Sequence, residues 1–150
     1  MAKKLPAVKY YEAIGRRKSA VARVRLHIAP KQKEITVSGL KMKKGEIYIN
    51  KTSIAQYFPG GTAKIKYSQP LKLTDSLDRF VISVQVKGGG KNGQLEAAIH
   101  GISRALELVD KNHRPALKKN GLLTRDMRVR ERRKPGCGGK ARRKKQSPKR

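Results

Sequence analysis

The last thirty residues, Gly121–Arg150, constrain everything upstream of them. They hold thirteen Lys or Arg against Asp126 and Glu131, a formal charge of +11. After Thr124 the only sizeable apolar side chains are Met127 and Val129. Such a segment buries too little apolar surface to offset the entropy of ordering it. It is expected to have no fold of its own and to order only on a polyanion. Any core must therefore come from the residues before it. The expected division is a globular domain over residues 1–124, its first few residues extended, and an extended basic tail over 125–150.

The charge of the whole chain is +28, and it is unevenly spread over the 150 residues. Residues 1–34 carry +8, residues 35–110 carry +5 and residues 111–150 carry +15. A middle of ordinary polarity is thus flanked by two basic segments. Charge on this scale points to nucleic acid or an anionic membrane surface. No apolar run approaches the ~20 residues of a membrane helix, and no signal-peptide block opens the sequence MAKKLPAVKYYEAIG. An intracellular soluble protein is expected. Cys137 is the only cysteine, so no intrachain disulfide is possible. His27, His100 and His113 are too scattered for a structural zinc site.

The sequence predicts a short strand over Val8–Ile14, followed by a basic turn, Gly15-Arg16-Arg17-Lys18-Ser19. Ala20, Ala22, Val24, Leu26 and Ile28 then alternate with Val21, Arg23, Arg25 and His27. This is a half-buried strand with a basic outer face. With the preceding turn it makes a continuous basic patch, and Arg suits it because its planar fork fits phosphate oxygens. Ala29–Lys33 breaks the strand. Ile35 and Val37 mark another, ended at Ser38-Gly39, with antiparallel pairing across these short connections. Glu46–Ile49 alternates briefly. Thr52 or Ser53 can cap a short helix through Phe58 that Pro59-Gly60-Gly61 stops. Ala63–Tyr67 reads as one or two further helical turns limited by Pro70. Phe80, Ile82, Val84 and Val86 alternate as a strand.

After Gly88-Gly89-Gly90-Lys91-Asn92-Gly93 comes the longest helix. Leu95, Ala98, Ile99, Ile102, Leu106 and Val109 form one apolar stripe, while Ala97, Gly101 and Ala105 are small enough for close packing. It should end near Asp110. Pro115 opens a shorter helix that Gly121 closes. Strands, small helices, strand and long helix together predict an α+β fold, a mixed β-sheet with helices packed on it.

The glycine stretch fits no nucleotide motif well. A Walker loop needs Lys after its last Gly, but Lys91 precedes Gly93. The dinucleotide pattern fits Gly88, Gly90 and Gly93 but lacks the acidic residue about twenty positions on. Two readings stay open: a tight strand-to-helix turn, or such a turn whose backbone amides also bind a phosphate. No nucleophile stands with a base, and Asp75 and Asp78, the closest acid pair, read as turn or capping residues. No enzymatic activity, cofactor or small-molecule substrate is expected. Within the tail, Gly136, Gly138 and Gly139 let the backbone bend, and Arg outnumbers Lys, which suits phosphate contact and base stacking.

The segments GRRKSAVARVRL from Gly15, YFPGG from Tyr57, VKGGGKNGQLEAAIHGISRAL from Val86, LKKNGLLTRDMRVRERRKPG from Leu117 and KARRKKQSPKR from Lys140 recur together in one known family. On them the chain resembles the bacterial small-subunit ribosomal protein nine family, nearly end to end. The resemblance implies an α+β body docked in the head of the small ribosomal subunit. It implies a tail running through ribosomal RNA to the peptidyl-tRNA site. By position, Lys149 and Arg150 would reach the anticodon stem-loop of that tRNA. The family's tail usually ends Q-F-S-K-R, whereas this one ends Gln146-Ser147-Pro148-Lys149-Arg150. The aromatic is absent, and Pro148 biases Ser147 toward an extended shape.

With ribosomal RNA as partner, the body is expected to meet it through Arg16, Arg17, Lys18, Arg23 and Arg25, and through Gly89, Gly90 and Lys91. The tail would do so through Arg125, Arg128, Arg130, Arg132, Arg133, Lys134, Lys140, Arg142, Arg143, Lys144 and Lys145. Neighbouring proteins of the subunit head are further expected partners, and a membrane is not. The expected location is the ribosome in a bacterial-type cytoplasm, or in an organelle. The competing reading is a free-standing DNA-packaging protein, which needs a basic face repeating along a duplex. A nucleotide-using enzyme needs a Walker lysine in register, and none is there.

Overall fold

Strands β1 (Tyr10–Arg17) and β2 (Ala20–Ile28) open the fold as an antiparallel hairpin in register from Tyr10↔His27 to Arg17↔Ala20. The structure, a computed structural model, describes residues 9–28, 34–37 and 39–132. The expected strand start at Val8, the break at Ala29–Lys33, Ser38, and the tail from Arg133 onward lie outside these residues. The first turn is shorter than the sequence suggests. Gly15, Arg16 and Arg17 belong to β1, and only Lys18-Ser19 turns, with Lys18 at φ 51°. Gly15 is buried in the strand rather than bending it.

A short hairpin follows, β3 (Glu34–Val37) with β4 (Leu40–Lys43). It is a sheet of its own. The expectation that β3 would pair with β2 is corrected, because β2 pairs on its other side with β7 (Phe80–Lys87). β5 (Ile47–Ile49) lies parallel to β7, and β6 (Thr52–Ser53) is antiparallel to β5. The main sheet therefore runs β1-β2-β7-β5-β6 and is mixed. The parallel step needs a long crossover. α1 (Ile54–Tyr57) and α2 (Gly61–Leu73) supply it. α2 is longer than expected, because it runs through Pro70. The ring removes one helical hydrogen bond, but Pro70 and Leu71 are buried in the core, which offsets that loss near the helix end.

α3 (Lys91–Val109) lies across β1 and β2. It begins three residues earlier than its apolar stripe implies, so Lys91-Asn92-Gly93 form its first turn. Of the predicted stripe, Leu95, Ala98, Ile102 and Leu106 are buried in one core with Val24, Leu26, Ile82 and Val84 of the sheet, while Ile99 and Val109 are partly buried against it. Each fully buried Leu or Ile contributes about 1.5–3 kcal/mol by transfer from water. A 3-10 turn at Lys111–His113 leads into α4 (Arg114–Lys119), whose Leu117 plugs the same core. Gly121, at φ 70°, follows. The result is an α+β fold with helices packed on one face of a mixed sheet.

The opposite sheet face is partly covered. Ile35 and Met42 of the small hairpin pack on Val81. Near this end His27, expected on a basic outer face, is only 3% exposed. Its Nε2 lies 3.0 Å from Ser83 Oγ, its Nδ1 has no partner among the described residues, and the Tyr10 ring leans against it. Burial, and then Arg25, lower its pKa below 6.5. Burial is also the main cause lowering that of His100. The unfolded chain therefore takes up protons near pH 6.5 that the folded chain resists. This part of the stability is complete above ~6.5 and is lost as pH falls toward the lower folded values. We expect the urea midpoint to fall between pH ~7.5 and pH ~5.5, with a flatter dependence in His27→Gln/His100→Gln. An unchanged slope in the double variant would assign the acid sensitivity to other groups.

Candidate nucleic-acid interface

The basic residues of the first hairpin divide between two surfaces because successive strand residues point to opposite faces. Arg17 points toward α3. Arg23 and Arg25 point away from it, and the continuous patch expected from the sequence is not one surface. Arg25 is bound to Glu12 at 2.6 Å and stacks 4.8 Å from the Tyr10 ring. Arg23 hydrogen-bonds Gln85, its cross-strand neighbour.

Arg17 is the most engaged of the set. Its Nε donates to Glu96 on α3 at 2.5 Å, its Nη1 to the Arg128 carbonyl at 3.2 Å, and its Nη2 meets Asp126 at 3.1 Å. The Asp126 carboxylate also receives Arg128, through the backbone N–H at 2.9 Å and the guanidinium at 2.7 Å. Those bonds from Arg128, reinforced by the Arg17 charge, hold the Asp126 carboxyl well below the usual carboxylate range. Three elements far apart in sequence are thus clasped: β1, α3 and the start of the basic C-terminal segment. His100 adds a second tie. Its Nδ1 accepts from the Arg16 backbone N–H at 3.4 Å while its Nε2 faces the Leu123 carbonyl at 3.3 Å, an arrangement satisfied by the neutral Nε2–H tautomer.

Lys18, Gly89, Gly90 and Lys91 do come together. They line one shallow depression with Arg17 and Ser19. Gly88 and Gly89 have φ of +72° and +65°, and a Cβ on either would collide with the Ser19 carbonyl or with Ala20. The glycines therefore let the loop lie directly against the β1–β2 turn. Lys18 and Lys91 then flank the start of a nineteen-residue helix whose N-cap, Gly90, provides no side-chain cap. The first backbone N–H groups of a helix have no partner within it and attract anions.

A larger groove of about 920 Å³ was not anticipated from the sequence. It lies between the edge of β1, the outer side of α3 and α4, with Arg16, Arg104, Lys111, Arg114 and Arg125 around it. Arg104 also caps the edge strand, donating to the Ile14 carbonyl at 2.6 Å. Arg114 is paired with Glu107. Arg104, Lys111 and Arg114 stand apart from the basic clusters in sequence. A helical wheel of α3 alone would have found Arg104 on the face opposite the stripe, but the part played by β1 and α4 depends on the tertiary fold.

Arg125, Arg128, Arg130 and Arg132 are exposed. The remaining tail residues, and Lys149 and Arg150, lie outside the described residues. Among the described residues no three His, Cys, Asp or Glu cluster to hold a metal ion, and no helix is long and apolar enough to cross a membrane.

A small α+β body with cations on several faces, and a basic segment clasped to it, defines a protein built to sit against a polyanion. Residues 15–150 match the family described as ribosomal protein S9/S16, and the chain belongs to that family. It is accordingly an RNA-binding structural protein of the small ribosomal subunit.

Proposed function

We propose that the body docks on ribosomal RNA of the subunit head and that the C-terminal residues run on to the tRNA in the peptidyl site. Lys149 and Arg150 then meet phosphates of its anticodon stem-loop and stabilise it without chemistry. Residues 1–124 act as the anchor and 125–150 as the extended tail. Lys18 and Lys91 with the Gly89–Gly90 amides take one phosphate group. Arg16 serves a further contact, Arg23 and Arg25 make separate contacts on the other sheet face, and the tail cations from Arg125 to Lys145 neutralise the RNA along the path. The ribosome of a bacterial-type cytoplasm is the proposed location, with proteins of the head as neighbours. Arg17 positions rather than binds, because its guanidinium already meets two carboxylates and a carbonyl. That clasp is the observation that carries the reading: it makes the basic segment leave the body from one fixed place beside Lys18 and the glycine loop.

The test is a sucrose-gradient profile of the tagged full-length protein in its own cells, washed at rising salt, beside a variant lacking Lys149 and Arg150. Many phosphate contacts should keep the full chain on the small subunit while loosely held protein washes off. The variant should assemble normally, with peptidyl-site tRNA retained about tenfold less well from the loss of two charge-assisted contacts. Release at modest salt, or recovery with chromosomal DNA, would overturn the ribosomal role. Severe assembly loss in the variant would overturn the division between anchor and tail tip.

A further inference from the structure

On the sheet face opposite α3, the β3–β4 hairpin leaves a trough of about 380 Å³, within the roughly 300–1,000 Å³ range of small-molecule sites. Val37, Leu40, Met42 and the half-buried Tyr48 form its apolar side. Arg23, Arg25, Lys51 and Lys87 line it as well, and no carboxylate among the described residues does, although Arg25 is paired with Glu12 and the Tyr48 hydroxyl with Glu46. Neither Lys51 nor Lys87 has an ion pair among the described residues.

Lys51 is held there against local preference. Asn50 and Lys51 form the two-residue turn between β5 and β6, with φ of 46° and 73°. Both angles are positive, as in the type I′ turn, whose second position favours Gly. The turn is fixed to β7 by three bonds. The Asn50 backbone N–H donates to the Val84 carbonyl at 3.0 Å, its Nδ2 donates to the Val86 carbonyl at 3.1 Å, and the Val86 N–H donates back to Asn50 Oδ1 at 3.0 Å. A lysine kept in a strained, anchored position beside a hollow is characteristic of a binding site.

We infer that this trough seats one unpaired nucleotide of RNA. The base lies against Met42 and Tyr48, and its phosphate meets Lys51 and Lys87. The inference rests on the RNA-binding role and adds what kind of RNA element this face takes. An apolar wall with an aromatic, rimmed by cations, matches how single-stranded bases are held. An acidic peptide in extended form would instead seek a sheet edge. The trough lies on the face of the sheet, and the β1 edge is capped at Ile14 and Arg16 by Arg104 and His100.

Methionine-methyl NMR of the full-length protein tests this, because Met42 lies in the trough and Met127 in the exposed basic segment. The probes are a short single-stranded oligoadenylate, inorganic phosphate and oligoglutamate. Oligoadenylate should shift the Met42 resonance upfield by ring current, and the other two should leave it in place. Lys51→Gly should raise the urea midpoint by relieving the turn, yet weaken the Met42 response about tenfold through loss of a charge-assisted contact. Lys87→Gln should weaken it without stabilising the fold. A silent Met42 beside a responding Met127 would overturn the trough and leave the RNA-binding role intact. An equal Met42 response to phosphate would reduce the site to an anion patch, and one to oligoglutamate would make it a peptide surface. Each overturns the inference. No response at either methionine to RNA would sink the RNA-binding role itself.

Discussion

Gly15→Ala is expected to cost about 4 kcal/mol or more of folding stability, enough to leave much of the protein unfolded. A Cβ at Gly15 would overlap the Ala97 carbonyl oxygen and the Gly101 backbone amide of α3. Ordinary overpacking costs about 1–3 kcal/mol because side chains give way. Here the obstacle is the backbone of a helix that is itself packed across β1 and β2, and it cannot shift without opening the core. Gly101→Ala should be milder, about 1–3 kcal/mol, since its Cβ would overlap only a side-chain methyl, Val24 Cγ2 at 2.6 Å, and stay 3.2 Å from the nearest backbone atom, Gly15 N. Gly90→Ala has open space and φ −95°, so it should stay within about 0.5 kcal/mol. Urea denaturation of the three full-length variants gives the order. A Gly15→Ala protein as stable as Gly90→Ala would mean that α3 does not cross β1 this closely.

Gly15 also explains where sequence reading succeeded and failed. The alternation in β2 and β7 and the stripe of α3 were legible because each element buries one face, and burial of one face leaves a period in the chain. A glycine needed for close approach leaves no period. In sequence Gly15 looks like the start of a turn, and only the presence of α3 above it makes it part of a strand. Pro70 is similar: its local rule stops a helix, and its burial in the core overrides the rule. The basic residues were individually visible, but their grouping was not. Alternation sent Arg17 to one face and Arg23 and Arg25 to the other, and the Glu96 and Asp126 carboxylates that occupy Arg17 lie 79 and 109 residues away. Strand order was hidden for the same reason. Nothing local says that β5 runs parallel to β7 or that β3 stands apart from β2.

The second large effect should come from removing residues 133–150, which takes away nine Lys or Arg and no acid. The cut leaves Asp126 and Arg128 in place, so the clasp on Arg17 and the His100–Leu123 tie survive. Folding stability, read by urea denaturation, should therefore change by less than about 0.5 kcal/mol. Affinity for small-subunit RNA should behave differently. Each phosphate contact adds roughly 0.7–0.9 to the steepness of log K against log salt, so nine contacts would remove roughly 6–8 from that slope. We expect a loss of at least about 3, with affinity down on the order of a thousandfold at moderate salt. The two readouts separate the roles assigned to the two parts of the chain. A truncated protein that binds RNA with an unchanged salt slope would place the energetics in the body, in the groove around Arg104 and Arg114 and the depression beside Lys18. A truncated protein that loses stability as well would mean that the segment after Arg132 is part of the folded domain, and the boundary at residue 124 would have to move.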